Sequence, residues 1–327
     1  MPVSQQTIAE ALNLSVITVS RALRDHPDMA ETTKARVLQK ARELGYTKLS
    51  RRPAAVSAPP RRAGILLYDS PHGEKQDSLA SGVKRRIFLA LQKECQRLQV
   101  ETLIETPSLD ETPLIVKNRT IQTAFIFGRY TAEAIARLRD IPAIAVSSFI
   151  DCPDLPRIVA DNLNGMRLVT EHLISLGHEK ILFLGIQESN TRIFAERADG
   201  YVAAMHRKGL APVVRFHAGL DDLPDVEELK KWTAIVCASD GLAYGVHARL
   251  SAAGVRIPED ISLAAFDNLP SDYPHPITTY APDWEMMGTM AAGLLLSSPL
   301  DIRNKALVVT VPGRLKVAGS TAAPRAA

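Results

Sequence analysis

Cysteine is scarce and badly placed for chemistry: Cys95, Cys152 and Cys237 lie too far apart for a C-x-x-C metal or redox pair. An odd number of thiols with no export signal points to reduced, buried side chains in the cytoplasm. The first twenty residues hold no apolar stretch behind a basic start, so no signal peptide is expected. The longest apolar runs, such as 63–68 and 141–146, fall far short of a membrane span. Motifs for catalysis are missing as well. There is no G-x-S-x-G, G-x-x-x-x-G-K-[ST] or G-x-G-x-x-G, and His178-Glu179 begins a zincin pattern that Leu182 breaks. No cofactor, no metal and no enzymatic activity are therefore expected.

What is present is an ordinary soluble composition. The chain has 327 residues, 46% hydrophobic and 23% charged, enough to bury a sizeable core in two or three units. Its net charge is +3, but the charge is unevenly spread. Residues 1–62 hold 11 Lys/Arg against 5 Asp/Glu, leaving residues 63–327 slightly acidic. A basic head on an acidic body points to nucleic acid at one end.

The head, residues 1–47, reads as three short helices. Ser4 is a candidate N-cap for an apolar face of Ile8, Ala9, Ala11 and Leu12. Asn13 suits the left-handed turn that follows, and Ser15 caps a second helix burying Val19, Ala22 and Leu23. A third helix, from about Glu31 to Leu44, carries Val37, Leu38, Ala41 and Leu44 as one stripe, with Gly45 at its C′ position. Residues 48–62, rich in proline, alanine and arginine, are a linker.

From residue 63 short apolar strands alternate with amphipathic helices. The strand candidates are 64–68, 100–105, 124–127, 143–147, 158–160, 180–185, 213–217, 234–238 and 261–266. Helices fall between them, as at 84–98, 165–176, 197–208 and 240–253. The alternation predicts parallel sheets, and nine strands suit two doubly wound lobes better than one. Residues 63–327 thus form one α/β body.

A helix, a tight turn and a second capped helix are a helix-turn-helix signal, whose second helix enters the major groove. Val16, Ile17 and Arg21 would face base edges, and Ser15, Thr18 and Ser20 are small enough to approach phosphates. Arg21 alone has the long donor that a bidentate guanine contact needs. Packing of Val16 and Ile17 inside the head is the alternative.

These segments resemble those of the lactose-repressor (LacI-type) transcription regulators. The resemblance rests on Thr7-Ile8-Ala9-Glu10-Ala11, the Ser15-Val16-Ile17-Thr18-Val19-Ser20-Arg21-Ala22-Leu23 run and Glu43-Leu44-Gly45-Tyr46. It continues through Val159-Ala160-Asp161-Asn162, Ala195-Glu196-Arg197-Ala198-Asp199-Gly200-Tyr201, Ala238-Ser239-Asp240 and Phe266-Asp267-Asn268 to Pro312-Gly313-Arg314. It implies a small all-α helix-turn-helix head on an α/β, periplasmic-binding-protein-like body of two Rossmann-like lobes. It also implies a homodimeric repressor that binds near-palindromic double-stranded operator DNA and answers to a sugar or sugar-acid effector. A corepressor-type or activating protein is the alternative within regulation; a sugar-binding transport component and an enzyme with a DNA-binding head are the alternatives outside it. Base reading then goes to Val16, Ile17 and Arg21, and phosphate contact to Ser15, Thr18, Ser20 and Thr33. The hinge position that holds a minor-groove leucine in the family is Ala55 here, followed by Val56, which implies a weaker wedge.

Ligands of parallel sheets sit beyond the C-terminal strand ends. Asp69, Asp240 and Asp267 each follow a strand candidate, and Arg197 stands at the start of a helix. A carboxylate that accepts sugar hydroxyls and an arginine that donates make a polyol clamp. The resemblance ranks Arg197 and Asp267 first, then Asp161, Asp240 and Phe149. The alternatives are a surface salt bridge for Arg197, a turn or N-cap for Asp267, and helix caps for Asp161, Asn162 and Asp240. The loop 69–77 is longer and more charged than its family counterpart; it reads first as a solvated loop, and alternatively His72 and Lys75 there would suit an acidic ligand.

Overall fold

The computed structural model describes residues 3–23, 29–46, 62–68, 82–138, 141–147, 152, 155–187, 192–269, 276–297 and 307–325. The chain divides into two compact units, Met1–Ser57 and Ala58–Ala327. In the first, α1 (Gln5–Leu12), α2 (Val16–Leu23) and α3 (Glu31–Glu43) enclose Ile8, Ala9, Val19, Ala22, Val37, Ala41 and Tyr46. Ala11, expected on the inner face of α1, is exposed, because the stripe narrows to Ile8 and Ala9 in so short a helix. Local chemistry sets the ends. Ser4 caps α1 in a reciprocal box with Thr7, Asn13 takes the left-handed conformation at φ 53°, and Gly45 does so after α3 at φ 72°.

The second unit holds two six-stranded sheets. The first consists of β1 (Arg62–Tyr68), β2 (Glu101–Glu105), β3 (Thr123–Gly128), β4 (Ala143–Val146), β5 (Arg157–Ala160) and β11 (Val308–Val311). Their order is β11-β5-β4-β3-β1-β2, all parallel. The second consists of β6 (Ile181–Ile186), β7 (Val213–His217), β8 (Ala234–Cys237), β9 (Ser262–Phe266), β10 (Thr278–Pro282) and β12 (Gly313–Lys316). Their order is β12-β10-β9-β8-β6-β7, and only the β10–β12 pair is antiparallel. The nine strand candidates are all present; β10, β11 and β12 are additional.

Helices cover both sheets. In chain order they are α4 (Gly82–Arg97), α5 (Leu114–Lys117), α6 (Ala132–Ala136), α7 (Asn162–Ser175), α8 (Ile193–Arg207), α9 (Val226–Leu229), α10 (Asp240–Ala252) and α11 (Trp284–Leu296). One continuous apolar core runs from the α4/α11 face of the first sheet to the α7/α8 face of the second. Separate clusters back the opposite faces. Two glycines permit the closest helix pairs. A Cβ at Gly288 would lie 2.2 Å from the Ile87 carbonyl oxygen of α4, and one at Gly200 2.2 Å from that of Leu163 in α7.

The chain crosses between the lobes at 160–162, 282–284 and 311–313, since α7 packs on the second sheet and α11 on the first. The crossings are stitched together. Asp161 N–H donates to the Val311 carbonyl (3.0 Å), Asp283 N–H to that of Pro312 (3.2 Å) and Gly313 N–H to the Tyr280 hydroxyl (2.6 Å). The three crossings are thus linked to one another by hydrogen bonds rather than running independently. Beyond β12 the chain returns along the second sheet, where Ser320 bonds Leu263 and Thr278, and His178 Nε2 donates to the Ala322 carbonyl. Among the described residues no helix is long and apolar enough to cross a membrane. Cys95, Cys152 and Cys237 form no disulfide.

Candidate functional site

Two groups of side chains can recognise partners, one in each unit. On α2 the first-turn Val16 and Ile17 are 41% and 68% exposed. They do not pack inside the head, and Arg21 is exposed beside them. Ser15 Oγ accepts the Thr18 N–H (3.0 Å) and pairs with Thr18 Oγ1 (2.8 Å), so this hydroxyl pair fixes the start of the helix. Ser20 is only 9% exposed and faces inward, unlike its expected phosphate-contacting neighbours. Thr33, in the first turn of α3, is half-buried. Ala55 and Val56 lie outside the described residues.

In the body, Arg197 and Asp267 pair at the edge of a cavity of about 120 Å³ at the junction of the lobes. The first lobe contributes Val83 and Lys84 from α4, Ser147 after β4, Val159 and Ala160 of β5, and Trp284 of α11. The second contributes Asn162, Ile193, Phe194, Arg197 and Asp267. Arg197 lies in the second turn of α8 rather than at its start, because the helix begins at Ile193. Nor is it a surface salt bridge. It is 4% exposed, with Nη2 3.0 Å from Asp267 Oδ1. Its Nε donates to Asn162 Oδ1 (3.0 Å) and its Nη1 to the Ala238 carbonyl (2.6 Å), while its carbon Cζ stands 3.7 Å from the centre of the Phe266 ring. Burial pushes the Asp267 carboxyl up and the guanidinium down, and each charge opposes that shift in the other.

The remaining candidates separate by what they touch. Asp161 caps α7, accepting the Asn164 N–H. Its neighbour Asn162 is the residue that reaches the cavity, bridging Arg197 and Glu196. Asp240 is 2% exposed and does not line the cavity. Its carboxylate accepts the Thr279 hydroxyl and the Leu269 N–H, both at 2.7 Å. Asp69, Phe149, His72 and Lys75 lie outside the described residues.

Sequence reasoning missed Ser147 and Trp284. Ser147 ends a strand candidate, so the strand-end rule that selected Asp240 and Asp267 selects it too. It is buried and held at φ 54°, a conformation that bulky residues avoid. Trp284 donates its indole N–H to the Asp267 carbonyl (2.8 Å). Its signal was hidden because β10, which delivers it, was not recognised. Among the described residues no cluster of His, Cys, Asp and Glu could hold a metal ion.

Comparison with known proteins divides along the same line. Residues 6–48 match the bacterial regulatory proteins of the lacI family, and residues 170–321 match the periplasmic binding protein-like domain. The chain is similar to the probable HTH-type transcriptional repressor ExuR of Bacillus subtilis (strain 168), 25% identical over 93% of this chain and 94% of the relative. Its fold is similar to that of the lac repressor dimer bound to operator and the anti-inducer ONPF. There the TM-score is 0.64 at 21% identity, covering 99% of this chain and 100% of the other. It is also similar to a LacI family regulator from Enterococcus faecium with bound ribose, with a TM-score of 0.67 at 20% identity over 81% and 100%.

Proposed function

This chain belongs to the lacI family of bacterial regulatory proteins, and from that premise we propose that it is a cytoplasmic, homodimeric transcriptional repressor controlled by a sugar or sugar acid. The observation that carries the reading is the buried Arg197–Asp267 pair facing a cavity between two hinged lobes, in a chain that also bears a basic helix-turn-helix head.

The chemistry of the cleft suits a polyhydroxylated ligand. Asp267 accepts hydroxyls, Arg197 has N–H groups beyond those given to the protein, and Phe194 and Trp284 offer apolar faces for a sugar ring. Asp69, Phe149, Asp161 and Asp240 belong to the same proposal, the last two through the elements they hold. The relatives support the class of ligand: one similar structure holds ribose and another cellobiose.

In the head, Val16, Ile17 and Arg21 read base edges, Ser15, Thr18 and Thr33 approach phosphates, the inward-facing Ser20 does not, and Ala55 and Val56 belong to the linker. A dimer engages two half-sites together, so a change of lobe angle that displaces one head weakens both contacts. A ligand acts only through its preference for one lobe arrangement over the other. Regulation rather than catalysis is supported by the matched relatives, which are DNA-binding regulators.

A thermal-shift screen of neutral sugars and sugar acids, followed by operator binding in their presence, tests the reading. A stabilising compound that alters operator affinity is the expected result. Turnover of such a compound, or stabilisation with no change in operator affinity, contradicts it.

A further inference from the structure

The segment 267–269 is unusual in two ways. Asp267 and Asn268 are consecutive non-glycine residues at positive φ, 119° and 53°. Such conformations persist only where the surroundings impose them. Here every main-chain polar group from the Asp267 N–H to the Leu269 N–H has a partner. The Asp267 N–H donates to the Tyr280 carbonyl (2.9 Å) and the Asn268 N–H to Thr279 Oγ1 (3.4 Å). The Leu269 N–H donates to Asp240 Oδ2. The two carbonyls accept from the other lobe: Asp267 from the Trp284 indole (2.8 Å), Asn268 from the Arg86 guanidinium (3.4 Å). The turn that presents Asp267 to the cleft is thus also a tie between the lobes.

Asp240 anchors the second-lobe side of that tie. One carboxylate oxygen takes Leu269 N–H, and the other takes the Thr279 hydroxyl, whose oxygen in turn receives Asn268 N–H. We propose that Asp240 is a positioning residue, acting through the Asp267–Asn268 turn to set how Asp267 faces the effector and how firmly the turn is tied to the first lobe. The proposal rests on the cleft reading above and deepens it by naming the turn through which Asp240, behind the site, would act.

The surroundings give this residue a second property. Burial, and next the nearby Asp267 charge, push the Asp240 carboxyl up to about 7, against the pull of Thr279, Leu269 and Arg197. The Cys237 thiol on β8, which feels the charge of the same carboxyl, is itself pushed up by burial. Loss of the proton therefore places a second negative charge beside Asp267, and Trp284 senses it through the Asp267 carbonyl.

The test needs no effector, so its failure is separate from failure of the cleft reading. The chain has two tryptophans, Trp232 and Trp284. In full-length Trp232→Phe protein, the fluorescence and the indole 15N–1H resonance of Trp284 are followed from about pH 5 to about pH 9, a range spanning the Asp240 titration. The expected result is a transition centred near pH 7 that disappears in Asp240→Asn. Thr279→Val, which removes the hydroxyl that favours the ionised form, should raise the midpoint by about half a pH unit or more. It keeps the test decisive if Asp240→Asn does not fold. A flat Trp284 signal, a transition that survives Asp240→Asn, or a midpoint unmoved by Thr279→Val overturns the proposal.

Discussion

Arg197 and Asp267 show how a sequence position becomes a site. Each charge is nearly or fully enclosed, and neither is tolerable alone: removing one partner of a buried pair leaves the other uncompensated. Arg197→Ala is therefore expected to cost the body about 3–5 kcal/mol as well as the effector response, as urea unfolding would measure. Asp240 has its own pH signature. Its folded value of about 7 lies above the ordinary carboxylate value, so the folded state holds the proton more tightly. The stability this group supplies is present in full below about pH 4 and is lost as pH rises through about 7. Asp240→Asn has no such proton. Urea midpoints should show wild type losing stability relative to the variant between about pH 4 and about pH 7. On the DNA side, Arg21→Ala should weaken operator binding by about 1–3 kcal/mol and relax one base position, with random duplexes little affected. Asp267 was legible from residue type and strand-end position, whereas Arg197 was expected at a helix start that the fold places a turn earlier. The inward turn of Asp240 was not legible, because Leu269 N–H and Thr279, its partners, come from elements distant in the chain.

At the scale of elements, local signals served the head well. Ser4, Asn13, Ser15 and Gly45 set helix ends through bonds to near neighbours, which sequence displays directly. In the body, alternation of apolar strands with helices identified two lobes. It did not identify Thr278–Pro282, Val308–Val311 or Gly313–Lys316. The first ends in proline, the other two flank Pro312, and Val308–Val311 and Gly313–Lys316 are edge strands with outward-facing residues. These three strands deliver two of the three crossings, so the hinge was invisible while the lobes were plain. Close helix packing is a further consequence of sequence at this scale. Gly288→Ala would drive a methyl into Ile87 and Leu91 of α4, and should cost about 1–3 kcal/mol in thermal or urea unfolding. Gly293→Ala, on the same helix with open space at its Cβ, is the control and should be neutral or slightly stabilising.

For the whole molecule, the small net charge conceals a division of labour. On the proposed reading the basic residues 1–62 supply the salt-dependent part of DNA affinity, and the slightly acidic remainder is expected to avoid non-specific DNA contact. The effector's leverage, on that reading, comes instead from the crossings between the lobes, where three bonded segments and the Trp284–Asp267 tie would couple lobe angle to what fills the cavity. The most direct measurement is fluorescence anisotropy of a labelled operator, selected from random duplexes by the full-length protein. It is titrated with and without the compound that most stabilises the protein among neutral sugars and sugar acids. The wild-type operator affinity should change by about 5- to 150-fold, the usual range of allosteric coupling, and Asp267→Asn, folded and still bound to operator, should show no change. An equal response in Asp267→Asn, or a wild-type affinity indifferent to every compound screened, would contradict control through the Arg197–Asp267 cleft.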